Sequence, residues 1–165
     1  MDINRTVEEN DAVMFDIDDT LISSRNKKVI EPVYNIYKAL KQRGYKIVII
    51  TARPGFQENI EWTERQLAEI NVEYDVLVFT PPENKGKFKR NSNYNYILSV
   101  GDMDTDLTDS TYSLKISMWC CIYDMSRTRS WVHRRFAFAF RNTSSYTLCI
   151  YCIWINPCSP FHWRY

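Results

Sequence analysis

Ala12-Val13-Met14-Phe15-Asp16-Ile17-Asp18-Asp19-Thr20 decides the reading of this chain. A short apolar run of this kind reads as a buried strand, roughly over residues 12–17. The acids begin where the apolar run stops. Side chains alternate with a period of two, so Asp16 and Asp18 are expected to leave the strand end on the same side. Two carboxylates aimed at one spot repel each other, and are usually retained only where a cation or a reaction needs them.

The segments that follow alternate in kind. Residues 31–40 have apolar positions 33, 36, 37 and 40 at helical spacing, with Pro32 suited to the first turn and Gly44 to the exit. Residues 45–50 read as a second strand around the β-branched Ile47-Val48-Ile49-Ile50. A second helix is expected over 57–70, with Ile60, Leu67 and Ile70 on one face. Further strands are expected at 76–79, 96–100 and, more briefly, 112–117. Strands alternating with helices predict a parallel sheet, and ligands of such sheets bind beyond the carboxyl ends of the strands. The expected architecture is α/β, a Rossmann-like three-layer sandwich around a mainly parallel five-stranded sheet.

The polar residues all fall at one edge of that sheet. Strand one ends in Asp16 and Asp18, strand two in Thr51-Ala52-Arg53-Pro54, and strand four in Gly101-Asp102-Met103-Asp104-Thr105-Asp106. Lys85, Lys87 and Lys89 follow strand three. Carboxylates from neighbouring strands make an oxygen-rich pocket suited to a hard, Mg²⁺-like cation. A hydroxyl and an ammonium facing that cation suit an anion with several oxygens, of which phosphate is the obvious one. Phosphoryl transfer needs a nucleophile, charge neutralisation and a proton donor for the leaving oxygen, and these residues supply each.

The set resembles the haloacid dehalogenase superfamily. Phe15-Asp16-Ile17-Asp18-Asp19-Thr20-Leu21 is similar to its first motif, DxDxT. Ile49-Ile50-Thr51-Ala52-Arg53-Pro54 is similar to its second, and Gly101-Asp102-Met103-Asp104-Thr105-Asp106 to its GDxxxD fourth. The resemblance covers about residues 10–118 and is nearest the class III acid-phosphatase-like branch. It implies an Mg²⁺-dependent phosphomonoester hydrolase working through an aspartyl-phosphate. By the same resemblance Asp16 is the nucleophile, and Asp18 protonates the leaving oxygen and then activates water. Thr51 would bond a phosphoryl oxygen, and Thr20 would brace the loop after strand one. Asp16, the backbone carbonyl of Asp18, and Asp102 would hold Mg²⁺, with Asp106 as an outer or alternate ligand. The family also places a Lys before strand four. Lys85 and Lys87 rank level for that role, and Lys89, beside Arg90, reads as a solvated face. Asp19, Asp104 and Asp109 read as solvated or capping acids.

The gaps between motifs are too short for a cap domain, so the site is expected to be open. An open site suits a large phosphorylated substrate, including a nucleotide or nucleic-acid end, or a small one closed in by a partner subunit of an oligomer. Arg25, Lys27 and Lys28 stand just past the first motif, where such a substrate would pass. The rival readings are a polynucleotide or nucleotide phosphatase, a phosphotransferase, and a non-catalytic remnant acting as an interaction protein.

Net charge is +1 over 165 residues, which points to neither nucleic acid nor membrane. That average hides a division: residues 1–118 carry 15 Lys+Arg and 19 Asp+Glu, whereas residues 119–165 carry six Arg, no Lys and a single acid. All five Cys and four of the five Trp lie in the second stretch, which has no Gly. The change in composition suggests an atypical tail, either frameshifted, foreign or disordered, joined to a phosphatase core over 1–118. Cys149, Cys152, Cys158 and His162 make half a zinc signature. No apolar run approaches the ~20 residues needed to span a bilayer. The polar N-terminus does not read as a signal peptide, so a cytoplasmic, reducing setting with free cysteines is expected.

Overall fold

A computed structural model describes residues 6–117 and the strand Ser145–Cys149. In chain order the elements are β1 (Asp11–Phe15), α1 (Glu31–Gln42), β2 (Lys46–Thr51), α2 (Gln57–Glu69), β3 (Val76–Phe79), α3 (Lys85–Asn91), β4 (Asn95–Gly101), β5 (Tyr112–Ser117) and β6 (Ser145–Cys149). The strands lie in the order β3-β2-β1-β4-β5-β6, and every pairing is parallel. The five expected strands are therefore present. A sixth, from the stretch read as an atypical tail, adds to the outer edge of β5. The rest of that stretch, with Cys152, Cys158 and His162 of the zinc reading, lies outside the described residues.

The strands hold together because they are apolar on both faces. All five residues of β1 are buried. Val13 and Phe15 join Ile47, Ile49, Leu98 and Val100 in one core cluster, together with Val33, Tyr37 and Leu40 of α1 and Leu67 of α2. The alternate residues Ala12 and Met14 join Val48, Ile50 and Tyr96 in a second cluster, against which Phe88 of α3 packs. Two faces of one sheet, each covered by helix, make the three layers. Helix α1 starts with Pro32 in its first turn and ends at Gly44, whose φ of +91° is the left-handed conformation a helix exit requires.

The winding determines where a site forms. From β1 the chain moves outward through β2 to β3, then returns across β1 to place β4 on its other side. The carboxyl ends of β1 and β4 are therefore neighbours at the point where the winding reverses. Between Phe15 and Glu31 there are only turns and two isolated bridges, Asp18 with Ile22 and Ile22 with Val29. No cap domain stands over the edge among the described residues, and no described helix is long and apolar enough to cross a membrane.

Candidate active site

Asp16 is the first residue past β1. Its amide donates to the Val100 carbonyl at 3.0 Å, which ties the end of β1 to the end of β4. Beyond it the chain turns sharply, with Asp19 at φ +54°, a conformation Asp tolerates. Asp19 braces that turn: its carboxylate accepts from the Ser24 amide at 2.8 Å and the Ser24 hydroxyl at 2.6 Å. Thr20 is fully buried, and its Oγ1 has no hydrogen-bond partner, so any bracing it provides comes from packing.

Strand β4 delivers the second set of acids. Gly101 closes the strand where there is no room for a side chain, since a Cβ there would stand 2.2 Å from the Cβ of Asp106. The chain then folds through a short 3-10 turn, and Asp106 Oδ2 accepts from the Met103 amide at 3.0 Å. The result is a cluster in which carboxylate oxygens of Asp16, Asp102 and Asp106 all lie within 4.8 Å of one another.

Lys85, the first residue of α3, is inserted into this cluster. Its Nζ donates to Asp16 Oδ1 at 2.7 Å and to Asp106 Oδ1 at 2.6 Å, and the side chain is only 2% exposed. Burial acts to lower the Lys85 pKa, but the two carboxylates outweigh it and raise it, so the ammonium stays charged. Burial likewise pushes Asp16 up to about 7, with Lys85 opposing the shift and Asp106 and Asp102 adding to it. Asp102 rises to about 6, first through burial and then through Asp106.

The three lysines separate by helical geometry. Lys89 lies one turn beyond Lys85 on the same side of α3. It is buried rather than solvated: its Nζ donates to Ser99 Oγ at 3.0 Å, to the Asp106 carbonyl at 2.8 Å and to the Thr108 carbonyl. Lys89 thus grips the backbone of the loop whose side chain Lys85 grips. Burial lowers its pKa to about 8 against the pull of Asp109 and Asp106. Lys87, two residues from Lys85 and so on the far side of the helix, is exposed and away from the acids.

Asp18 departs from the same-side expectation. Regular strand ends at Phe15, so the period-two argument no longer applies two residues later. The Asp18 carboxylate is 42% exposed and stands outside the three-acid cluster. It is held instead by Arg53, which donates from Nε to Oδ2 at 2.7 Å and from Nη2 to Oδ1 at 2.8 Å. Any metal contact from Asp18 is therefore left to its backbone carbonyl. Thr51, the last residue of β2, is buried, and its Oγ1 accepts from the Arg53 amide at 3.2 Å. Arg53 itself was not singled out from the sequence. Its one visible signal is a charged residue two positions past a buried strand.

A doubly wound α/β sheet with a lysine-bridged acidic cluster at its switch point places charged chemistry at the strand ends, where ligands of such sheets bind. Residues 13–78 match the model of the haloacid dehalogenase-like hydrolase family. No curated protein matches it. Among solved structures, a chain of the Pnkp1/Rnl/Hen1 complex is similar in fold, with a TM-score of 0.52 and 23% identity over 58% of this chain. The match takes in 40% of that chain's own length. A chain of the Pnkp1/Rnl/Hen1 RNA repair complex matches over the same 58%, at 25% identity and a TM-score of 0.49, and 37% of its length is covered.

Proposed function

We propose that the chain is an Mg²⁺-dependent phosphomonoester hydrolase that works through an aspartyl-phosphate on Asp16. The observation that carries this reading is the buried contact of Lys85 with both Asp16 and Asp106, beside Asp102. The donor set suits a hard divalent ion, being all oxygen and drawn from two adjacent strand ends. Three ionised carboxylates against one ammonium leave two negative charges, which a divalent ion would neutralise. Asp16, Asp102 and Asp106 would hold it, with the Asp18 carbonyl. Bound there, Mg²⁺ supplies charge neutralisation for the phosphoryl oxygens.

The chain's own residues do the rest. An Asp16 oxygen attacks phosphorus, and the bond from phosphorus to the ester oxygen breaks. Asp18 gives that oxygen a proton, so the alcohol leaves neutral. Asp18 then takes a proton from water as the water attacks the aspartyl-phosphate, which releases phosphate and restores Asp16. Thr51 holds a phosphoryl oxygen, and Lys85 fixes the attacking carboxylate and offsets its charge.

A nucleotide or nucleic-acid end is the second reading of the substrate. It is favoured by the uncapped edge and by two exposed apolar side chains beside it. Phe56, 57% exposed, follows β2, and Met103, 48% exposed, follows β4, where an unstacked base has a surface to lie on. Exposed Lys27 and Lys28 lie on the turn past Asp18. We place the catalytic unit in residues 1–118, in a cytoplasmic, reducing setting.

The test is turnover of a panel of phosphomonoesters, with free nucleotides and 3′- and 5′-phosphorylated oligonucleotides included. It is run with Mg²⁺, with chelator, and with Asp16→Asn. Activity is expected only with Mg²⁺ and an intact Asp16, and a chain cut after residue 118 is expected to keep it. Turnover that survives both chelator and Asp16→Asn refutes the mechanism. Absence of turnover across the panel favours the non-catalytic remnant.

A further inference from the structure

Arg53 has no part in the scheme above, yet each of its three guanidinium nitrogens donates a hydrogen bond. Nε and Nη2 hold the two oxygens of Asp18, and Nη1 donates to Thr63 Oγ1 at 3.2 Å. The guanidinium lies over the ring of Trp62, 4.7 Å from its centroid, and the side chain is only 8% exposed. We propose that Arg53 is a positioning residue, locked by Trp62 and Thr63 of α2, that fixes the Asp18 carboxyl for proton transfer to the ester oxygen and from the attacking water. This rests on the hydrolase reading and assigns a residue that reading leaves out.

Asp18 needs such a clamp. It lies past the end of β1, beside the left-handed Asp19, and its carboxylate is part-exposed. Without a partner it would sample several rotamers, and a misplaced proton donor loses much of its effect. A guanidinium fork fixes both carboxylate oxygens in one plane. It uses one lone pair of each oxygen and leaves the others for a proton or a water. The clamp is itself held. The Trp62 ring covers one face of the guanidinium, and the Thr63 bond restricts its rotation. The orientation of Asp18 is thereby inherited from a helix rather than from its own turn. Lysine would supply a point charge with no plane, so charge alone does not meet the requirement.

The leaving group separates this role from phosphate binding and from a purely structural one. A nitrophenolate departs without a proton, whereas an alkoxide needs one. The full chain with Mg²⁺ is assayed on p-nitrophenyl phosphate and glycerol 2-phosphate, with Asp18→Asn as the benchmark. Arg53→Gln is expected to lower kcat/KM, which reports transfer to Asp16 and not the shared hydrolysis of the aspartyl-phosphate, about 100-fold on glycerol 2-phosphate and less than about 10-fold on p-nitrophenyl phosphate, within the range of general acid catalysis. Arg53→Lys is expected to show the same selective loss, and wild-type rates there would overturn the need for a fork. Trp62→Leu changes a half-exposed side chain and keeps Arg53, so it tests the clamp even if Arg53 variants fold poorly. The same pattern at smaller amplitude is expected. Equal losses on both esters overturn the role. A wild-type chain that hydrolyses neither these esters nor any member of the phosphomonoester panel removes the hydrolase reading and this role with it. A wild-type chain active on both, with uniform losses in the variants, overturns the role of Arg53 alone.

Discussion

Lys85→Met is the most direct perturbation of the acidic cluster. Methionine is close to lysine in length and apolar, so the change removes the charge while keeping most of the packing. The ammonium is 2% exposed and bonded to two carboxylates, at 2.7 and 2.6 Å. Removing one side of a buried ion pair costs about 3–5 kcal/mol, because the charge left behind is uncompensated. Three carboxylates are left facing one another here, so the upper half of that range is expected at pH 8. With a urea dependence of about 2 kcal/mol per molar, the unfolding midpoint should fall by roughly 2 M. Two changes of condition should reduce the loss. At pH 5 the cluster can take up protons in place of the missing cation. At pH 8, Mg²⁺ should bind the variant, whose cluster carries one more negative charge, more tightly than it binds the wild type, and so return part of the loss. The assay is urea unfolding followed by circular dichroism, for both proteins, at pH 5 and pH 8, with and without Mg²⁺. A loss that is the same at both pH values and indifferent to Mg²⁺ would show that Lys85 acts by filling space, and the electrostatic account of the site would fail.

The metal-free protein should lose stability as pH rises from about 4 to about 7. Asp16 and Asp102 have native pKa values raised by burial to about 7 and about 6, so the folded state holds protons that the unfolded chain has already released. Thermal melts in chelator across that window should show the decline, and Asp16→Asn should flatten it; a Tm that climbs through the window contradicts the assignment. Gly101→Ala should leave the sheet intact but displace Asp106, since the new Cβ would stand 2.2 Å from that residue's own. Mg²⁺ binding measured by calorimetry should weaken about tenfold or more, and wild-type affinity there would mean that Asp106 lies outside the metal site.

What the sequence shows well is whatever depends on neighbours along the chain. The apolar runs of β1, β2 and β4 stop at Phe15, Thr51 and Gly101, and a parallel sheet brings those ends to one edge. Asp16, Thr51, Asp102 and Asp106 were legible for that reason. Lys85 was legible only to within a choice, because α3 is seven residues long and carries one large apolar side chain. Nothing in so short a helix fixes its rotation until Phe88 meets the second core cluster. That contact turns Lys85 and Lys89 inward and Lys87 out, and it makes a buried anchor of the residue that looked most solvated. Asp18 and Arg53 lie at the other extreme. They are 35 residues apart, and their pairing depends on a turn at Asp19 and on a helix that offers Trp62 and Thr63 at the right height. Strand periodicity, applied past Phe15, put Asp18 among the metal-facing acids, yet its carboxylate is turned away toward an arginine. The two aspartates of one motif therefore occupy different electrostatic surroundings. Asp16 is buried beside an ammonium and two further acids, whereas Asp18 is part-exposed and held by a guanidinium. In the proposed mechanism one carboxylate is kept for attack on phosphorus while the other handles protons, and these unlike surroundings are what separate the two roles.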